Sequence, residues 1–182
     1  MSFSARKPKK LDREALLEYA LRTLTVRALT TGELRQRLQR RSEVAADVDA
    51  TLDRLKEYGY LNDQKFADNF AAARRENQGF GKQRVLRDLR QRRVAPALAE
   101  KAVAGAFSGT EEEALILGYL KRKFRKLDLA TYLSQPSHLA SAFRKLLYAG
   151  FSAGTSIRVL RRYSELASQL EDSGPGEPEQ SS

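Results

Sequence analysis

Apolar residues recur along this 182-residue chain three and four positions apart, and nowhere in the two-residue alternation of a half-buried strand. Leu16, Leu17, Ala20 and Leu24 predict one helix, Leu34 and Leu38 a short second one, and Val48, Leu52 and Leu55 a third. Thr30 or Thr31 is placed to cap the second helix, and Ser42, beside Glu43, to open the third, because a side-chain oxygen accepts an orphan backbone N–H at a helix start. Gly59 ends this group, since glycine takes the left-handed conformation at little cost.

The pattern then repeats. Asp63 is expected to cap a fourth helix that places Phe66, Phe70 and Ala73 in the core, with Gly79 and Gly81 breaking it. Val85, Leu86 and Leu89 line a fifth helix, and Pro96 suits the first turn of a sixth that presents Leu98, Ala102 and Ala106. In a third group, Thr110 followed by Glu111 to Glu113 forms a helix start, with carboxylates facing the positive end of the dipole. Its apolar positions are Leu117, Leu120 and Phe124, then Leu139, Ala142, Phe143 and Leu146, then Ile157 and Leu160, punctuated by Gly150 and Gly154.

Leu38, Leu89 and Leu146 occupy the same register of the middle helix in each group, so a three-helix unit of roughly 50 residues is used three times. The expected fold is all-α, with nine helices in three tandem three-helix, helix-turn-helix-like modules at 12–61, 62–108 and 109–170. A basic arm at 1–11 precedes them and an acidic tail at 171–182, EDSGPGEPEQSS, follows. Units this small lie near the lower limit of independent stability, so each is expected to lean on the next in an elongated, curved array that works through a long face.

Charge changes the picture. The formal net charge is +10 on a composition that is 41% hydrophobic, which fits folded modules with a polyanionic partner. From Lys82 to Arg93 there are six basic residues, Lys82, Arg84, Arg87, Arg90, Arg92 and Arg93, against one acid, Asp88. Intrahelical pairing cannot neutralise that row, so it is expected to seek an external anion. A helical projection with Val85 and Leu89 inward turns Arg84 and Arg87 to the far side and Arg90 to the flank. On the second helix Arg40 faces away from Leu34 and Leu38, with Arg35 and Arg37 beside it and Arg41 near the helix end. Lys121, Arg122, Lys123, Arg125 and Lys126 form a further basic run, with Phe124 turned to the core. These fifteen residues are the candidate DNA- or protein-binding face. Tyr58, Tyr60 and Phe80, beside the glycine turns, are read as clamps between neighbouring helices rather than as platforms for bases.

Nothing in the sequence assembles a catalytic centre. Cysteine is absent, which excludes disulfides, thiolate chemistry and cysteine zinc sites, and fits a reducing cytoplasm. His138 is the sole histidine and follows Pro136 and Ser137 as a helix start would; no acidic cluster has metal-site spacing, so neither an enzyme nor a metal or other cofactor is expected. QGFGKQ lacks the first glycine and the hydroxyl residue of a phosphate loop. MSFSARKPKK precedes no apolar run of the kind an export signal needs, and no segment approaches the roughly 18 apolar residues of a membrane span.

GYLND and FA at Gly59 to Ala67, GFGKQRVLRDLRQRRV at Gly79 to Val94, ELRQRL at Glu33 to Leu38 and YAGF at Tyr148 to Phe151 together resemble the RecX family of regulatory proteins. The likeness covers roughly Leu16 to Tyr163. It implies a fold of three tandem three-helix modules in a curved arrangement and names a partner that composition and spacing could not: the RecA recombinase filament on DNA. Family members lie along its groove and modulate, usually inhibiting, strand exchange, ATP hydrolysis and co-protease activity in DNA repair and the SOS response. The expected ligands are therefore RecA and DNA, single-stranded or duplex and without sequence preference, bound by a monomer. Where the family commonly has glycine after the middle helix, this chain has Ser42, Arg93 and Gly150; where it often has proline, this chain has Lys82. Two other readings exist: a helix-turn-helix DNA-binding protein acting independently of RecA, and a helical adaptor for a protein partner. The second and fifth helices carry Gln and Arg but no Asn, short of the exposed mixture of all three that usually reads base edges, which argues against a sequence-specific reader.

Overall fold

The structure, a computed structural model, describes residues 10–170; the first nine residues of the basic arm and the acidic tail from 171 lie outside the described residues. Among the described residues there are ten α-helices and no strand. They are α1 (Arg13–Val26), α2 (Thr31–Gln39), α3 (Ala45–Glu57), α4 (Asp63–Ala73), α5 (Lys82–Gln91), α6 (Pro96–Ala106), α7 (Glu112–Lys123), α8 (Leu129–Leu133), α9 (Pro136–Tyr148) and α10 (Ala153–Leu160). A π-helical turn, Arg74–Gln78, follows α4, and a 3-10 turn, Glu165–Leu170, follows α10. The helix beyond the nine expected is α8, inserted into the third group behind its N-cap Asp128, whose carboxylate accepts from Thr131 N at 2.9 Å. Five residues are too few for a helical period to show in the sequence.

Packing divides the described chain into two units. The first runs to Ala71 and takes in Asp88–Gly105; the second comprises Ala72–Arg87 and the chain from Ala106 onward. Within the first unit, α1, α2 and α3 close on a core of Leu16, Ala20, Leu34, Leu38, Val48, Leu52 and Leu55, joined by Leu29 and Leu61. Each fully buried leucine contributes about 2 kcal/mol of apolar transfer. Within the second, α7, α9 and α10 enclose Ile116, Leu120, Phe124, Leu139, Phe143, Leu146, Ile157 and Leu160, with α8 packed on α9 through Leu133.

Helix starts combine expected caps with exchanged ones. Thr30 caps α2 in a complete capping box: its hydroxyl accepts from Glu33 N at 3.0 Å while Glu33 Oε2 accepts from Thr30 N at 3.2 Å. The same buried hydroxyl donates to the carbonyl of Arg92 at 2.6 Å, fixing the end of α5 to the start of α2. Asp63 does not cap its own helix. Asn62 does, accepting from Lys65 N at 2.8 Å, while Asp63 reaches to α2 and accepts from Thr31 N at 2.7 Å. Ser42 likewise caps no helix; it accepts from Val44 N at 3.1 Å in a local turn, and α3 begins after Val44 without a side-chain cap. Asp63 is drawn off by a backbone donor 32 residues away, leaving the cap of α4 to its neighbour Asn62, whereas Ser42 is held by a turn of its own.

Leu38, Leu89 and Leu146 are all fully buried, as their common register predicts. Leu89 and Leu146 accept from Val94 N (3.2 Å) and Phe151 N (3.1 Å), the closing bond of a Schellman turn, with Arg93 at φ 60° and Gly150 at φ 89° in the left-handed position. Arg93 thus takes up the geometry glycine would hold there. After Leu38 the chain leaves instead through Ser42 N to Leu38 O at 2.9 Å, without a left-handed residue.

Several expected core positions are not core. Phe66 and Phe70 stack on each other with centroids 5.9 Å apart but remain half-buried, because α4 buries Ala67 and Ala71 instead. Tyr58 and Tyr60 clamp no helix; they are 57% and 60% exposed, and Tyr58 pairs with Arg54 of its own helix. On α6 the buried stripe is Ala99, Ala102 and Val103 rather than Leu98, Ala102 and Ala106.

Candidate nucleic-acid interface

In the second unit the start of α5 is seated on the end of α9. Gly81 N donates to Ala149 O at 2.8 Å and Gln83 N to Gly150 O at 3.2 Å, which satisfies two amides that a helix start leaves orphaned. The approach needs two glycines. A Cβ on Gly81 would lie 2.4 Å from Gly150 O, and one on Gly150 would lie 2.2 Å from Arg84 N.

This seating sets arginines on aromatic rings. The Arg84 guanidinium lies 4.6 Å from the Tyr148 centroid and 5.2 Å from that of Phe80. Arg87 donates to the Tyr148 carbonyl at 3.3 Å and lies 6.0 Å from the same ring. Arg74, from the π-helical turn, stands 6.0 Å over Phe80. Arg122 of α7 donates to Asn77 O at 3.4 Å and passes so close to Gly79 that a Cβ there would meet its Nη2. Tyr148 is 69% exposed, whereas Phe80 is anchored against the apolar core of the unit. Below the cluster, burial raises the Tyr119 hydroxyl above its ordinary value of 10.0, opposed by Arg122 and Arg84.

An exposed tyrosine held among four guanidinium groups has the chemistry of a single-strand contact: aromatic and guanidinium planes stack on bases and the cations meet phosphates. Lys82, exposed at the start of α5, adds a cation. It also acts on Glu112: burial raises that carboxyl, but hydrogen bonds from the Ser152 hydroxyl (2.6 Å) and amide (2.9 Å), with Thr155 and the charge of Lys82, hold it below the ordinary 4.5.

The candidate basic residues divide between the two units. Arg84, Arg87 and Arg122 come together in the second unit, and the other candidates are placed as follows. Arg90 pairs with Glu100 at 3.4 Å, and Arg92 with Glu33 at 2.7 Å while covering Phe66 and Phe70 at 5.6 and 5.7 Å. Arg93 is the left-handed residue, its Cβ against Gly32. Arg35 pairs with Asp49, and Arg41 covers Tyr19 at 5.2 Å. Arg37 and Arg40 line a shallow hollow beside Arg41. Lys121, Lys123, Arg125 and Lys126 are exposed around the end of α7. The expectation that the row lacks carboxylate partners is therefore corrected for Arg90 and Arg92, whose carboxylates lie on other helices, Glu100 on α6 and Glu33 on α2. Sequence reasoning missed Arg74 and Tyr148; the signal available for Tyr148 was an aromatic two residues before a left-handed glycine.

Among the described residues no three His, Asp or Glu side chains gather as a metal site, and no helix is long and apolar enough to cross a membrane.

The model of the first three-helix domain of RecX matches residues 17–55, and that of the second three-helix domain matches residues 62–103. The regulatory protein RecX of Deinococcus radiodurans is 34% identical over 163 residues, covering 88% of this chain and 75% of the relative. This chain belongs to the RecX family. A second RecX, from Trichlorobacter lovleyi, is 32% identical over 109 residues, 60% of this chain and 71% of the relative. The crystal structure of RecX from Lactobacillus salivarius superposes with a TM-score of 0.64 over 83% of this chain and 96% of that one; at 15% identity this is agreement in fold, tandem helical modules of the RecX type. Phe80, Arg84 and Arg87 fall inside the second RecX domain, while Arg122 and Tyr148 lie beyond both matched segments.

Proposed function

We propose that this regulatory protein acts as a monomer on the RecA filament in the cytoplasm, binding filament and DNA together, and inhibits strand exchange, ATP hydrolysis and co-protease activity in DNA repair and the SOS response. Membership of the RecX family supports the regulatory role. The observation that carries the mode of binding is Arg84 stacked between Phe80 and an exposed Tyr148, with Arg87, Arg74 and Arg122 around it. Guanidinium groups and a ring bind single strands through phosphate charge and stacking, neither of which depends on sequence. The three modules, taken as 12–61, 62–108 and 109–170, suit a repeating partner, because each contact made raises the effective concentration for the next. On this reading catalysis plays no part.

The test is RecA-catalysed ATP hydrolysis and strand exchange on single-stranded DNA, with this protein added at stoichiometric amounts. Wild type suppresses both, and Arg84→Ala with Arg87→Ala weakens the suppression about tenfold or more, as expected for two charge-assisted contacts. No effect of wild type on either reaction overturns the RecA reading. A thousandfold preference among DNA sequences at fixed salt, without RecA, would establish the independent DNA-binding reading instead.

A further inference from the structure

The first unit holds a second candidate surface that shares no residue with the arginine–aromatic cluster. A groove of about 910 Å³ runs between the C-terminal half of α1 and the outer face of α4. Leu21, Leu24 and Leu29 form its aliphatic side, and the Phe66–Phe70 stack forms the other. Leu21 and Leu24 are only partly covered by the core behind them, and Tyr60 stands at the mouth 60% exposed.

Charge around the groove has one sign. Arg27, Lys65 and Arg92 line it and no carboxylate does. Glu33 sits behind Arg92 at 2.7 Å and behind Arg27 at 4.0 Å, which offsets part of their charge. Lys65 is exposed and forms no ion pair with any described residue. The groove therefore asks for large apolar side chains with carboxylates beside them.

Neither end of this chain meets that demand. The arm before Lys10 is itself basic, and the tail EDSGPGEPEQSS is acidic but carries no large apolar residue. A second copy would bring its own +10 charge to a cationic rim. A single base would leave most of the aliphatic side unfilled. We infer that this groove takes an amphipathic, acidic helical segment of a partner protein, with large apolar residues at i, i+3 or i+4, and i+7 in the groove and a carboxylate at Lys65. The inference is independent of the proposed action on RecA, because it rests on the groove's lining alone.

A peptide-display library panned on the full-length protein tests it. Enriched sequences are expected to carry that apolar spacing with Asp or Glu, and the leading peptide, synthesised, to lose about tenfold or more in affinity against Lys65→Glu, since a rim charge is reversed. Leu24→Gln should weaken it similarly through the apolar side. Both positions are solvent-facing or half-buried, and matching melting temperatures confirm folded variants. Absence of any enriched peptide, equal binding by wild type and both variants, or an oligo-dT strand whose affinity falls with Phe70→Ser while no peptide binds, each overturns the inference.

Discussion

Gly150 has no side chain because none fits. Its φ of 89° is left-handed, and a Cβ would lie 2.2 Å from the backbone nitrogen of Arg84. Gly150→Ala is therefore expected to destabilise the protein by about 1–3 kcal/mol, combining left-handed strain with a backbone collision. It should also weaken DNA binding, because α5 must shift and carry Arg84 off the Tyr148 ring. Gly154→Ala is the control: that glycine lies inside α10 with nothing within 4 Å of a Cβ, and alanine should stabilise by up to about 1 kcal/mol. Urea midpoints of the two variants check this; equal midpoints would refute the packing account. Arg93, left-handed at φ 60°, shows that the same turn is reachable without glycine when the Cβ has a glycine, Gly32, to rest against.

Between elements, one polar link is sensitive to pH. Ser152 caps α10 and at the same time donates twice to Glu112 at the start of α7. Because the folded carboxyl titrates below its ordinary 4.5, ionised Glu112 contributes stability that is complete above that value and is lost as pH falls through the lower folded one. Glu112→Gln should thus be less stable than wild type at neutral pH, with the gap closing as the pH falls below the ordinary carboxyl value of 4.5 and through the lower folded one. Denaturant midpoints at neutral and at acid pH decide it, and a pH-independent gap would show that shape rather than charge matters there. The link also explains why the run Glu111 to Glu113 is more than a dipole-complementing start: Glu113 pairs with Arg158 at 3.1 Å and with Arg162.

At the scale of the molecule, a net charge of +10 makes any polyanion attractive, and the question is which cations respond. Arg84, Arg87 and Arg122 are gathered near one exposed ring, where phosphate and base can be met together, whereas Arg35 and Arg90 belong to the other unit. Replacing Arg84, Arg87 and Arg122 by alanine is expected to flatten the plot of log affinity for single-stranded DNA against log salt by about two, at roughly 0.7 per phosphate contact. Replacing Arg35 and Arg90 should leave the slope nearly unchanged. Fluorescence anisotropy over a salt series checks both; an equal flattening in the two variants would mean that the basic face binds as a diffuse whole.

Local order along the chain was legible because helix period, proline and glycine act over a few residues. The all-α class, the common register of Leu38, Leu89 and Leu146, the stops at Gly59 and Gly150 and the family motifs all follow from such short-range rules. The five-residue α8 escaped them, being shorter than the period that would reveal it. What each polar group does was decided by folding. Asp63 and Thr31 are 32 residues apart, Arg92 and Glu33 are 59 apart, and Arg84 meets Tyr148 across 64 positions of sequence. A cation's role depends on which acid, carbonyl or ring the fold brings within a few ångströms, and charge counted along a helix carries no such information. The sequence by itself therefore determined that this is a helical, basic member of the RecX type. Only the tertiary structure separated the arginines that tie helices together from those gathered around Phe80 and Tyr148.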